Sequence, residues 1–491
     1  MTPDLVVRSP LVLRPDPGRV IARQFLPGQE LMVDGRARVD AVVHRVLAMA
    51  PSQVTATLAD TIALFADRHD DLGAVFAQHY APVVDRVGTG EVSADQAALI
   101  GAYFTQEYAL EAAALFNPSM VAHPDQTGLA DGELRFLMTV RSVGEGHVSS
   151  IQLRTGVLGA GAAELHIDPP GRPRMPKHRS ASLSRTVLLA ALADRMDGRA
   201  EQLAPLLPER VDADNLEHVL ETVRHEYFDR TRGVTISEDL RWVYDCDYAL
   251  DVPADQPLAA TVLFPAAPDE RNGMEDARLT RLVEEDGSVG YHATYTAFDG
   301  ANIASHLIST DDFRRLEVRQ LLGPASKGKG MALFPRRVGG SYTALVRWDQ
   351  ESIGVARSTD LRWWEEADTV QQPHAPWELI QLGNCGPPVE TDAGWLVLTH
   401  GVGPVRRYGI GATLLDLDDP SVLLGVLPEP LLLASEDERH GYVPNVVYSC
   451  GALRHGDRLV LPYGCSDYSI RFAFVDLPSL LDRLTSAGVP A

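Results

Sequence analysis

The sequence predicts a mainly β protein, a β-propeller that carries a helical N-terminal region and a helical insertion. Three observations predict it. After residue 233, strand-like runs bounded by turn residues follow one another almost to the end of the chain, among them YHATYTAF, YTALVRW, GWLVLTHGV and IRFAFVDL. A short polar tag recurs there: Ser237-Glu238-Asp239-Leu240, Ser309-Thr310-Asp311-Asp312-Phe313 and Ser358-Thr359-Asp360-Leu361. The copies stand about 50 to 70 residues apart, close to one four-stranded blade with insertions. Helical periodicity is confined to two stretches before residue 233. Radial repetition of strand units leaves few exposed edges, which favours the propeller over the plainer β-sandwich.

The N-terminal helices read clearly. Val39, Val42, Val43, Val46 and Leu47 recur at helical spacing and form one apolar stripe. The next helical run, from Ser52 to Val87, is broken near Asp70-Asp71, and Ser93 with Gln96 forms a capping box that opens a further helix. From Asn117 the pattern changes to ELRFLMTVRSV and HVSSIQLRTGV, a hairpin around a Gly-rich turn. Helical spacing returns over residues 183–229. The expected organisation is a helical region over 1–115 and a propeller over 116–491, interrupted by a helical insertion at about 172–232.

Composition excludes several function classes. Lys and Arg total 44 against 67 Asp and Glu, a formal charge of −23, which argues against nucleic acid or an anionic membrane as the main partner. A local Arg/Lys cluster still holds a small anion on an acidic background. The four cysteines, Cys246, Cys385, Cys450 and Cys465, include no CxxC pair, so neither a zinc knuckle nor a thioredoxin-type motif is present. The first residues lack the basic and long apolar stretches of a secretory leader, and no apolar run reaches the roughly 18 residues of a membrane span. A soluble, cytoplasmic protein is expected.

Two motif-like strings do not carry the chemistry their motifs suggest, although Lys329 in the first can still meet a phosphate by another geometry. Gly323 to Lys329 fits part of a phosphate loop, but Gly330 stands where Ser or Thr is required and Met331-Ala332-Leu333-Phe334-Pro335 cannot open the helix such a loop needs. Gly144-Glu145-Gly146-His147 lacks a second ligand at metal spacing and reads as a strand-connecting turn. No G-x-S-x-G elbow occurs. No metal and no cofactor are expected. The strongest constellation is Gly273-Met274-Glu275-Asp276-Ala277-Arg278 before a hairpin. Alone it reads equally well as a capped turn. Its company decides: Asn117, Arg141, Lys329, Arg347, His400, Tyr408 and Asp467 all fall at strand ends or turns, which a propeller gathers around one axial pocket.

The strings FNPSM, FLMTVR, MEDARL, KGMALFPRR, NCGPPVETDAGWLVLTHGV, YGIGATLLDLDDPS, VPNVVYSCGAL and LVLPYGCSD, in that order, resemble glycoside hydrolase family 130, the mannoside phosphorylases and related β-mannosidases. The resemblance covers most of residues 115–480. It implies a five-bladed propeller and an inverting reaction on a β-mannoside or manno-oligosaccharide, with inorganic phosphate as co-substrate. By similarity Asp276 is the catalytic acid, acting through a mannose hydroxyl. Lys329, Arg347, His400 and Tyr408 hold phosphate, and Asn117, Arg141 and Asp467 hold the mannose. A homo-oligomer is also implied. Phosphate is already anionic and needs positioning and cations, whereas water needs a second carboxylate about 6.5–9.5 Å from the acid. The chain departs from the family at Gln381, where a Lys is common, at Val346, where a His often precedes the Arg, and at Gly330, where an Asp is common. These departures keep two further readings open: an inverting β-mannosidase using Glu275, Glu390 or Glu438 as base, and a sugar-binding propeller without catalysis.

Overall fold

The computed structural model describes residues 5–28, 32–33, 36–86, 91–161, 163–196, 198–227 and 229–489. It divides into two compact units, residues 16–112 and residues 1–15 with 113–491. Residues 1–115, expected as one helical region, are therefore shared between them.

The unit of residues 16–112 holds helices Arg38–Leu47, Pro51–Phe65, Leu72–Tyr80 and Ala94–Tyr103. The apolar stripe packs inward: Val39, Val43 and Val46 are buried with Phe76, Leu99 and Phe104, and Val42 and Leu47 flank them. The break falls where expected, because the Asp71 side chain accepts a hydrogen bond from the Ala74 N–H and caps the third helix. Ser93 and Gln96 form the reciprocal capping box. The end of the broken run, at Val87, lies outside the described residues. Strands Val20–Gln24 and Thr105–Ala109 pair antiparallel.

The second unit is mainly β, built from five groups of four antiparallel strands. The first is Ala114–Ala122, Leu134–Val143, Ser149–Leu158 and Leu165–Ile167. The second is Gly273–Val283, Val289–Phe298, Ile303–Thr310 and Arg315–Gln320, whose ladder meets that of the first in a parallel pairing of Gly273 with Ser149. The third is Lys329–Leu333, Tyr342–Arg347, Ile353–Ser358 and Asp368–Gln371. The fourth is Gln381–Asn384, Gly394–Gly403, Arg407–Leu415 and Leu423–Val426. The fifth joins Val447–Tyr448, Arg458–Cys465 and Ser469–Asp476 to Val6–Leu13, a strand from the other end of the chain. Pro10 is tolerated in that edge strand, where a bulge between Arg8 and Val12 interrupts the ladder.

Each group shares a hydrophobic cluster with the next. Leu137 and Ile151 pack with Leu279 and Tyr291, Leu307 with Leu333 and Val346, Leu345 and Val355 with Leu382 and Trp395, and Leu398 and Ile410 with Leu461 and Val475. The fifth returns to the first, because Phe472 and Phe474 pack with Phe136 and Met138.

One copy of the recurring tag is not a strand corner. Ser237–Leu240 lies inside helix Arg230–Asp245, so the helical insertion runs past its expected end at about 232. The reason is in the flanks: Ile236, Leu240, Val243 and Tyr244 recur at helical spacing and are buried with Leu188, Val219 and Val223 of the insertion's own core. The other two copies form equivalent corners, with left-handed backbone at Phe313 (φ 60°) and Leu361 (φ 63°). Among the described residues no helix is long and apolar enough to cross a membrane.

Candidate active site

Three strands that open a group share one irregularity. The ladder skips two residues between Phe116 and Ser119, between Glu275 and Arg278, and between Lys329 and Ala332. Each bulge places a left-handed residue at the same point: Asn117 (φ 49°), Asp276 (φ 56°) and Gly330 (φ 90°). Non-glycine residues pay about 1–3 kcal/mol for such backbone, and it concentrates at functional sites. In the fifth group the same conformation occurs at Ser466 and Asp467, both at φ 48°.

These bulges aim side chains into one cavity of about 340 Å³, at the small end of the roughly 300–1,000 Å³ usual for ligand sites. All five groups contribute. The cavity wall holds all eight residues singled out from the sequence: Asn117, Arg141, Asp276, Lys329, Arg347, His400, Tyr408 and Asp467. It also holds Glu275, Gln381, Arg406, Tyr442 and Tyr448. Of the other base candidates, Glu390 pairs with Arg336 at 2.7 Å on the surface, and Glu438 is buried against the Tyr463 hydroxyl at 2.6 Å. Neither is among the residues that line the cavity.

Asp276 is held from one side. Its Oδ1 accepts from Asn117 Nδ2 at 2.7 Å and from Arg141 Nη1 at 3.1 Å, while Oδ2 has no hydrogen-bond partner among the described residues. Burial pushes the carboxyl pKa up, but Arg141, Arg278, the Asn117 amide and Lys329 outweigh it and hold the group at about 2. Arg141 also donates to Glu275 at 2.7 Å and to Ser149 at 2.9 Å, and lies over the Phe116 ring. Lys329 Nζ donates to the other Glu275 oxygen at 3.1 Å. Asn117 Oδ1 is a buried acceptor without a partner. Asp467 shows the opposite shift: burial raises it to about 6, with Arg141 and Arg406 pulling down and Asp276 pushing up.

Behind the acid, Arg278 is fully enclosed. It donates to Tyr448 Oη at 2.7 Å, to the Cys385 carbonyl at 3.1 Å and to the Asp276 carbonyl at 3.1 Å. Further along the wall, Arg347 Nη1 donates to His400 Nε2 at 3.0 Å, and Gln381 Nε2 approaches the same nitrogen at 3.2 Å. Two donors on one ring nitrogen require its lone pair. Burial, with Arg347 and Arg278 beside the ring, accordingly pushes the His400 pKa well below the usual imidazole value. Tyr408 stacks on His400 with ring centroids 6.2 Å apart.

The sequence reading missed Arg406, Tyr442 and Tyr448. A separate cluster has metal-ligand chemistry: Cys246, Asp269 and His306 are buried with ligand atoms within 4.8 Å of one another. Asp269 there already accepts from Trp242 at 2.5 Å and lies 3.3 Å from both His306 Nε2 and Gln320 Nε2.

Gly330 allows a direct test of the bulge. A methyl group there meets nothing closer than 3.8 Å, so Gly330→Ala adds backbone strain without a clash. It should cost about 1 kcal/mol in stability by denaturant titration and displace Lys329.

The profile of glycoside hydrolase family 130, described as beta-1,4-mannooligosaccharide phosphorylase, matches residues 254–486. The chain is 32% identical over 229 residues to a beta-1,2-mannobiose phosphorylase of Listeria innocua, a match covering 45% of this chain and 63% of that protein. It is 32% identical over 222 residues to a 1,2-beta-oligomannan phosphorylase of Thermoanaerobacter sp., covering 43% of this chain and 71% of that one. A solved beta-1,2-mannobiose phosphorylase from Listeria innocua superposes with a TM-score of 0.46 at 23% identity, over 77% of this chain and 93% of that one. On its shared sequence the chain belongs to glycoside hydrolase family 130.

Proposed function

We propose that this protein is an inverting phosphorylase that cleaves β-mannosides with inorganic phosphate and releases α-mannose 1-phosphate, on a five-bladed β-propeller. The propeller reading is supported by the ring of hydrophobic clusters that runs through all five strand groups and back to the first. The activity reading rests on one observation: Asp276, with a free Oδ2, faces a cavity whose wall carries Arg141, Lys329, Arg347 and Arg406. That is more positive charge than Glu275, Asp276 and Asp467 neutralise. The names of the two curated relatives agree with it.

The electrostatics couple the acid to the nucleophile. With the site empty, the surrounding cations keep Asp276 ionised at neutral pH. A phosphate dianion seated beside Lys329 and Arg347 offsets their pull, so Asp276 takes up a proton as the nucleophile arrives. The protonated acid donates through a mannose hydroxyl to the glycosidic oxygen while a phosphate oxygen attacks the anomeric carbon from the opposite face. The proton left on the phosphate ester then restores the acid. His400, whose Nε2 is engaged, serves by aiming the Arg347 guanidinium. Asn117 Oδ1, Arg141 and Asp467 hold the mannose hydroxyls.

Asp467 supports one second reading, because a carboxyl raised to about 6 in the same cavity suits a general base for water. Incubation of β-1,2- and β-1,4-linked manno-oligosaccharides with and without phosphate separates the two. α-Mannose 1-phosphate is expected only with phosphate present. Release of free mannose at a rate that ignores phosphate overturns the phosphorylase and leaves the β-mannosidase.

A further inference from the structure

The four cations on the cavity wall are not equivalent. Arg141 lies against both Asp276 and Glu275, and Lys329 against Glu275, so their charge is already matched. Arg347 pairs with no carboxylate among the described residues, and its hydrogen-bond partner is His400. Arg406 makes no ion pair and no hydrogen bond among the described residues, yet its side chain lines the cavity. Arg347 and Arg406 are therefore the two wall cations without a carboxylate partner of their own among the described residues. The remaining carboxylate, Asp467, feels Arg406 and offsets part of that charge, leaving a net positive site for an anion.

The position of Arg406 is built. It ends the turn Pro404–Arg406 between strands Gly394–Gly403 and Arg407–Leu415, the hairpin that also presents His400 and Tyr408. Val405 and Arg406 are consecutive non-glycine residues in left-handed backbone, φ 59° and 55°. Burial does not hold that conformation, because Val405 is 92% exposed at the tip. Such strain costs about 1–3 kcal/mol per residue, and its visible result is an arginine on the cavity wall.

We propose that Arg406 is a phosphate ligand and forms, with Arg347, the cationic pair that holds the dianion, Lys329 being committed mainly to Glu275. This inference rests on the phosphorylase reading above. Gln381, neutral beside His400, then adds a hydrogen-bond donor rather than charge.

The test is steady-state phosphorolysis of β-1,2-mannobiose by the full chain, varying phosphate and mannobiose separately for Arg406→Ala, Arg406→Lys and Arg347→Ala. Arg406→Ala should raise the phosphate KM at least tenfold and move the mannobiose KM less than threefold, with Arg406→Lys between wild type and Ala. An unchanged Tm is expected, since the residue is exposed. A phosphate KM within twofold of wild type in Arg406→Ala overturns the inference. So does a rise confined to the mannobiose KM, which would make Arg406 a sugar contact. If Arg347→Ala raises the phosphate KM and Arg406→Ala does not, only the role of Arg406 falls. If wild-type turnover needs no phosphate, the phosphorylase reading falls as well.

Discussion

Asp276→Asn should lower turnover of a manno-oligosaccharide by about 10³-fold, within the 10²–10⁴ that a positioned acid contributes, and leave sugar affinity within a few-fold. Asn is nearly the same size, keeps an oxygen for the Asn117 amide and Arg141, and tolerates left-handed backbone. What it cannot do is hold and deliver a proton. Calorimetric sugar binding alongside turnover checks this; a variant that keeps a tenth of wild-type activity would remove Asp276 from the chemistry. Asp276→Ala is the harsher companion, because it loses the hydrogen bonds from Asn117 and Arg141 and removes the carboxylate that balances the charge of Arg141 and Arg278. The acid also contributes stability. Its carboxyl titrates near 2 in the folded chain against an ordinary value near 4, so that contribution, about 2 kcal/mol, is present above pH 4 and lost as pH falls toward 2.

The residues at bulges and strand ends were legible because chemistry and local sequence coincide there. Asn117-Pro118, Glu275-Asp276 and Ser466-Asp467 are polar interruptions in apolar strands, and polar residues placed there must face a cavity or water. Arg406 escaped because nothing in Val405-Arg406-Arg407-Tyr408 tells an ordinary exposed arginine from one that lines a cavity at a turn with two left-handed residues. Glu275 read as a possible base, but its two oxygens are taken by Arg141 and Lys329, partners 134 and 54 residues away. The first strand illustrates the same limit. Val6–Leu13 has an extended composition, yet its partner, Ser469–Asp476, lies at the other end of the chain, and the cores it shares with Val475 on one face and with Ile470 and Phe474 on the other specify that pairing. Local pattern gives the element; long-range burial chooses its neighbour.

Asp467→Asn should make the protein more stable at pH 8 and less active. Burial raises this carboxyl to about 6, so the folded chain binds its proton more tightly than the unfolded chain, where the ordinary value is near 4. Stability is therefore lost as pH rises from 4 to 6, and above that range the buried charge costs about 1–3 kcal/mol. Asn removes the charge, keeps the shape and accepts the left-handed backbone at φ 48°. A higher Tm than wild type is expected at pH 8, shrinking toward none at pH 4 where Asp467 is protonated. Activity should fall about 10- to 100-fold, the worth of a charged hydrogen bond to a sugar hydroxyl. An unchanged Tm at pH 8 would place the carboxylate in solvent, and unchanged activity would remove it from the sugar site. Opposite signs for stability and activity mark a residue held at a cost for its ligand, because a group kept for folding alone could not improve stability by losing its charge.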